Sequence, residues 1–275
     1  MPLFHIIILA IVQGISEFLP ISSSGHLILT HHLLGSNGNM WGDTLTMDIA
    51  VHVGTLAAIM LYCWKDLRRM LGAAIRVATR QSADPADTRL IVYLVAASVP
   101  VLALGLVFHM LEPEWARSLH VAAWSLIICG ILLGLADRFM PTTHSVEKMT
   151  FKDALIIGFA QMLALIPGTS RSGITMTAAR ALGFSRVEAA RFSFLLATIS
   201  ISAAGAVGIL DLIRNPSAAL WLDAAIGAAV AFVAALGAVH FLMKWLTSHS
   251  FMPFVIYRVL LGILLLGLLH QGILG

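Results

Sequence analysis

Charge is what this sequence has least of. Of its 275 residues only 11% are Asp, Glu, Lys or Arg, against roughly 25% in an ordinary soluble domain. So few charges cannot clothe a water-facing surface, which excludes a soluble globule. Cysteine is nearly absent too. Cys63 and Cys129 lie in separate apolar stretches and imply no disulfide framework. The net charge is only +3, and the basic residues cluster in particular loops. That pattern reports membrane topology and does not point to nucleic acid as a partner. The first apolar run lacks a basic leader and a small-residue cleavage site, and it contains Gln13 and Glu17. It therefore reads as mature structure and not as a signal peptide.

Hydrophobic residues make up 59% of the chain, and the mean hydropathy is +0.92. Six segments are long and apolar enough to span a hydrocarbon core of about 30 Å. They lie near residues 44–64, 90–111, 117–136, 187–213, 219–243 and 253–274. Two further apolar segments, 3–35 and 151–184, are broken by the polar motifs "EFLPISSSGH" and "PGTSRSG".

Loop charge assigns sides. The loop 65–89 carries Lys65, Arg68, Arg69, Arg76, Arg80 and Arg89, so it is expected in the cytoplasm. Part of it, "KDLRRMLGAAIRVATR", has the pattern of a basic amphipathic helix lying along the membrane. Segment 137–152, Arg180, Arg186, Arg191 and Lys244 fall on the same side, and the turns 112–117 and 214–217 on the other. On this count each broken segment begins and ends on one side. The two are then re-entrant hairpins that enter from opposite faces. The expected fold is an all-α polytopic membrane protein, one domain over 1–275. It holds two inverted-topology repeats, about 1–138 and 148–275, each a re-entrant helical hairpin plus three transmembrane helices. A sequence echo agrees: Gln13 precedes Gly25 by twelve residues, and Gln161 precedes Gly173 by twelve. In such folds interrupted helices meet near the midplane and build the site.

The second motif runs from Pro167 to Thr175. Pro167 and Gly168 break a helix; Thr169, Ser170, Ser172 and Thr175 offer hydroxyls. A small-residue loop entering a helix N-terminus presents free backbone N–H groups and the positive end of the helix dipole. Arg171 adds a planar cation, and bidentate geometry favours phosphate. An arginine so deep in an apolar segment costs about 2.5–3.5 kcal/mol on insertion scales, so a function is expected of it. The alternative is a hairpin turn with a snorkelling arginine.

In the first motif Pro20 ends one helix and Ser22, Ser23 and Ser24 precede the next. A helix starting near Ser22 places Ser23 and His26 on one face, an imidazole beside a hydroxyl, as nucleophile activation needs. The alternative for the serines is N-capping. Glu17 shares a face with Gln13, four residues earlier. Together they could give Mg²⁺ or Ca²⁺ two ligands, with phosphate oxygens and water completing the shell. A plain helix-packing hydrogen bond is the other reading. Asp48 and His52 either extend this polar cavity or bond to each other.

These motifs resemble those of the undecaprenyl-diphosphate phosphatase family, also called bacitracin-resistance proteins. The family pattern is (E/Q)xxxE, then a proline and SSxGH, and later PGxSRSxxT. Both parts occur here in order, as "QGISEFLPISSSGH" and "IPGTSRSGIT", and the resemblance covers nearly the whole chain. It implies hydrolysis of undecaprenyl diphosphate to the monophosphate and phosphate, with a divalent cation, at the outer side of the bacterial cytoplasmic membrane. Residue by residue, it implies Ser23 as nucleophile, His26 as its acid/base partner, Glu17 as the essential carboxylate and Arg171 as the phosphate-binding arginine. Ser22, Ser24, Thr169, Ser170, Ser172 and Thr175 would line the substrate, and Glu17 and Gln13 would hold the metal. The implied partner is a polyprenyl diphosphate lipid. The oligomeric state is left open, a dimer included. Inverted hairpins also build secondary transporters, so movement of a polyprenyl phosphate without cleavage is the competing function.

Overall fold

A computed structural model describes residues 2–34, 41–111, 114–214 and 218–273. Its helices are α1 (Leu3–Ser16), α2 (Ser23–Leu33), α3 (Trp41–Tyr62), α4 (Trp64–Ala78), α5 (Pro85–Leu111) and α6 (Leu119–Phe139), then α7 (Phe151–Gln161), α8 (Arg171–Ala181), α9 (Arg186–Arg214), α10 (Ala218–Leu246) and α11 (Met252–His270). Among the described residues the sole extended pairing is an isolated bridge between His144 and Phe184. Without water to bond the backbone, each apolar segment must close its own hydrogen bonds, and the helix does this. Helices α5, α6, α9, α10 and α11 are long and apolar enough to cross a membrane, and α3 joined to α4 makes a sixth candidate. These match the six expected spans. The expected turns at 112–117 and 214–217 lie partly outside the described residues.

Helices α3 and α4 meet at an angle of 80°. The cause is compositional: α3 ends in an apolar run, whereas α4 interleaves Lys65, Arg68, Arg69 and Arg76 with apolar residues. Continuing straight would carry four cations along the span axis, so α4 turns aside as the amphipathic pattern requires.

The segments assigned to one side by loop charge are tied together. Arg191 of α9 meets Asp66 of α4 at 2.7 Å. Asp137 of α6 accepts from Arg180 at 3.2 Å, from Arg186 at 2.7 Å and from the Phe251 backbone N–H at 3.0 Å. Arg180 is fully buried and also donates to the carbonyls of Pro141, Met140 and Phe184. A buried cation is tolerated here because its donors are nearly all used.

Helices α1 and α3 pack on α10, α7 and α9 pack on α5, and α6 packs on α11. The α3–α10 crossing is close: a Cβ on Gly54 would stand 2.1 Å from the Ala228 carbonyl oxygen. Small residues at such crossings are how membrane helices gain van der Waals contact. The largest buried cluster gathers Phe18, Phe184, Phe192, Phe194 and Phe251. Phe18 meets Phe194 edge to face at 5.6 Å. That contact pins the turn after α1, and with it Glu17, against α9.

Candidate active site

Two broken hairpins converge. In the first, α1 stops at Ser16 and α2 starts at Ser23; in the second, α7 stops at Gln161, a short 3₁₀ turn runs from Met162 to Leu165, and α8 starts at Arg171. Each helix start is capped by a serine in the left-handed region: Ser22 at φ 78°, bonded by the Gly25 N–H, and Ser170 at φ 70°, bonded by the Gly173 N–H. Left-handed serine costs about 1–3 kcal/mol of backbone strain, partly offset by the cap. Gly168 sits at φ +84°, and a Cβ there would lie 2.1 Å from the Ala122 carbonyl oxygen. Only glycine fits, which explains the "PG" of the second motif.

Glu17 is the hub. It is 6% exposed. Its Oε2 accepts from the Ser23 hydroxyl at 2.8 Å and from the Gln13 amide at 2.8 Å. Its Oε1 accepts from Arg171 at 3.1 Å. Arg171 also donates to the Ser193 carbonyl at 3.3 Å. His52 Nε2 stands 3.7 Å from Glu17 Oε2. His52 Nδ1 faces the Asp48 carbonyl oxygen at 2.6 Å, and a carbonyl can only accept. Nδ1 therefore carries the proton, and Nε2 gains one toward Glu17 only in the cationic form. Asp48 turns instead to His31, at 3.0 Å. So His52 joins the cavity, and the two side chains do not bond each other.

The expected Ser23–His26 pair is not formed. His26 Nδ1 donates to the Ser22 carbonyl oxygen at 2.6 Å, and Nε2 meets the Tyr257 hydroxyl at 2.6 Å. The two rings stack, 9° from parallel. Helical spacing does put both residues on one face, but the bond back to Ser22 fixes the imidazole away from the Ser23 hydroxyl. Ser23 turns toward Glu17 instead. The hydroxyl's proton acceptor is thus a carboxylate from the preceding turn.

The other predicted hydroxyls divide in two. Ser24 is exposed and accepts from the Gly168 N–H at 3.4 Å, joining the turns. Ser22, Ser170, Ser172, Thr169 and Thr175 are buried. Ser172 donates to the carbonyls of Glu17 and Leu19 at 3.3 and 3.1 Å, and Thr175 bonds Ser193 at 2.7 Å. Ser172 and Thr175 thus bond to the scaffold around the two turns. The sequence spacing carried no burial signal for such small hydroxyls.

Arg258 and Tyr257 of α11 were missed. Arg258 is fully buried and donates to the carbonyls of Leu126, Pro20, Gly168 and Thr169, at 3.3, 3.3, 3.0 and 2.8 Å. It ties both turns to α6 and adds a positive charge behind them. The reasoning applied to Arg171, an arginine inside an apolar span without a nearby carboxylate, would have found it.

A cation site can be tested on the donors present. Gln13 Oε1 is a buried oxygen without a hydrogen-bond partner, beside the Glu17 carboxylate. Among the described residues no three His, Cys, Asp or Glu side chains cluster. One amide oxygen and one carboxylate fit a magnesium-like ion that takes its remaining ligands from phosphate and water.

Comparison with known proteins then decides the family. The sequence profile described as "Bacitracin resistance protein BacA" matches residues 6–264. The chain belongs to this family. It is 44% identical over 267 residues to the "Undecaprenyl-diphosphatase" of Roseobacter denitrificans, covering 97% of this chain and 98% of that one. It is similarly 44% identical over 272 residues to the protein of that name from Ruegeria pomeroyi, covering 98% and 100%. With the one from Hahella chejuensis it shares 45% over 259 residues, 94% and 95% of the two chains. Within this family member the Glu17–Ser23–Arg171 constellation joins the two motifs into a single polar site.

Proposed function

We propose that this BacA family member is an integral membrane phosphatase. It hydrolyses undecaprenyl diphosphate to undecaprenyl phosphate and phosphate, returning the lipid carrier to cell-wall synthesis. The observation that carries the chemistry is the 2.8 Å bond from Ser23 to Glu17, with Arg171 on the other carboxylate oxygen. In this reading Ser23 Oγ forms a bond to the terminal phosphorus while its proton passes to Glu17. The bridging P–O bond breaks, and undecaprenyl phosphate leaves, taking the proton from Glu17. Glu17 then deprotonates the water that cleaves the phosphoserine, and Ser23 regains its hydroxyl. In this reading Arg171 and the N-terminal amides of α2 and α8 would neutralise charge on the phosphate oxygens, where most of the catalytic effect of such sites arises. Gln13 and Glu17 would hold a divalent cation, which when bound adds charge neutralisation at the same oxygens. Transport without cleavage has no use for a serine bonded to a buried carboxylate, and the relatives are named for hydrolysis.

The same reading puts the chain in the bacterial cytoplasmic membrane, with the joined basic segments toward the cytoplasm and the exposed Ser24 toward the outer side. It also makes the chain two inverted repeats, supported by the matched turns and by the reciprocal packing of α1 on α10 and α7 on α5. The test is phosphate release by purified protein from undecaprenyl, geranylgeranyl and farnesyl diphosphates, with Mg²⁺ and after exhaustive chelation. Release from the undecaprenyl substrate that disappears on chelation is expected. No release from any lipid diphosphate contradicts the enzyme, and full activity after chelation contradicts the cation. For orientation, Ser82→Cys in a chain lacking Cys63 and Cys129 should react with an impermeant thiol reagent only after permeabilisation.

A further inference from the structure

The chemistry described above leaves a second charged cavity unused. Between α4 and the start of α5 lies a cavity of about 500 Å³ lined by Lys65, Arg68, Arg69, Arg76, Asp84 and Asp87. Helical spacing places positions 65, 68, 69, 72 and 76 on one side of α4. Gly72 lies amid them, with nothing within 4 Å of where its Cβ would stand, so the floor is open. The two carboxylates are already engaged. Asp87 pairs with Arg69 at 2.6 Å, and Asp84 accepts the Ala86 N–H at 2.8 Å at the start of α5. Lys65, Arg68 and Arg76 have no ion pair among the described residues. The adjoining side of α4 is apolar yet exposed, with Trp64 at 56%, Leu71 at 60% and Ile75 at 55%. The third side, Met70 and Ala73, is buried against the protein. A helix divided this way lies at the bilayer surface, its apolar side among acyl chains and its cations at headgroup level.

We propose that this cavity binds the phosphate headgroup of an anionic phospholipid, whose acyl chains run along Trp64, Leu71 and Ile75. The excess of cations selects a net negative headgroup over a zwitterionic one. The site is separate from the Glu17–Arg171 site and does not depend on its chemistry.

The experiment uses delipidated full-length protein in neutral detergent, titrated with phosphatidylglycerol or phosphatidylcholine and read by native mass spectrometry. Phosphatidylglycerol should be retained in preference. The triple variant Lys65→Gln, Arg68→Gln, Arg76→Gln should weaken that retention about 100-fold, each near-surface cation contributing roughly fivefold. Gly72→Leu grows a side chain into the open floor without removing charge, and should weaken retention too. Arg171→Ala removes the cation of the other site and should leave it unchanged. A melting temperature near the parent's shows that the variants are folded; if the triple variant is not, Gly72→Leu carries the test. Equal retention of both lipids, or retention untouched by Gly72→Leu and the triple variant, overturns the proposal. So does displacement of the lipid by soluble glycerol phosphate or inorganic phosphate at the lipid's own concentration, which would make the ligand a free phosphate.

Discussion

The turn ending at Ser22 and the turn ending at Ser170 have nearly the same backbone, φ 78° and 70°. In each, the serine hydroxyl caps a glycine N–H three residues on and lies near a second hydroxyl two residues on, at 3.3 and 3.2 Å. The same sequence separation relates Gln13 to Gln161 and Gly25 to Gly173. Among the residues between, two differences bear on the chemistry. The first helical residue is Ser23 in one and Arg171 in the other; Glu17 of the first corresponds to Leu165 of the second. One scaffold used twice thus presents a hydroxyl bonded to a carboxylate from one side and a cation from the other. The glutamines sharpen the lesson. Both leave a buried Oε1 without a partner, but the Gln161 amide donates to the Ala97 carbonyl at 3.5 Å and the Gln13 amide to Glu17. An orphaned amide oxygen alone does not make a cation site, and only Gln13 of the two has a carboxylate bonded beside it.

Exchanging what differs should cost most. Ser23→Ala should lower kcat on the order of 1,000-fold or more with little change in KM, measured as initial phosphate release, because nucleophile and base act as a unit. Arg171→Ala should raise KM and lower kcat together, and Arg171→Lys should recover little, since lysine lacks the planar fork.

Removing what the turns share should cost stability in both at once. Arg258→Met leaves the carbonyls of Pro20, Gly168 and Thr169 without their donor. A loss of about 3–5 kcal/mol is expected, the scale of a buried charged network losing a member, read as a lowered melting temperature in detergent. The caps come next. Ser170→Ala should cost roughly 0.5–2 kcal/mol, and Ser170→Gly less, because φ 70° strains alanine and not glycine. The equivalent pair at Ser22 should rank the same way if the turns are truly matched. The smallest effect is Tyr257→Phe, which keeps the ring stack on His26 and removes one hydroxyl. Under about tenfold in kcat is expected, the scale of one ordinary hydrogen bond.

What could be read from the sequence were the breaks and the spans, because proline, glycine and serine clusters inside apolar runs have few structural uses. The start of α2 near Ser22 was legible for the same reason, and the turn of α4 out of the span from its interleaved cations. Partners across the chain were not. Ser23 and His26 share a helix face, yet Glu17, reaching over the turn, takes the hydroxyl, and Tyr257, far along the chain, takes the imidazole. Nor does spacing reveal which small hydroxyls, such as Ser172 and Thr175, are buried.

The steric course at phosphorus tests the division of labour between the turns most directly. A lipid diphosphate carrying a chiral, isotopically labelled terminal thiophosphate is hydrolysed in labelled water, and the configuration of the released thiophosphate is determined. Attack by Ser23 followed by water inverts twice, so retention is predicted. Inversion would mean that water attacks directly, and would contradict Ser23 as the nucleophile of the first turn.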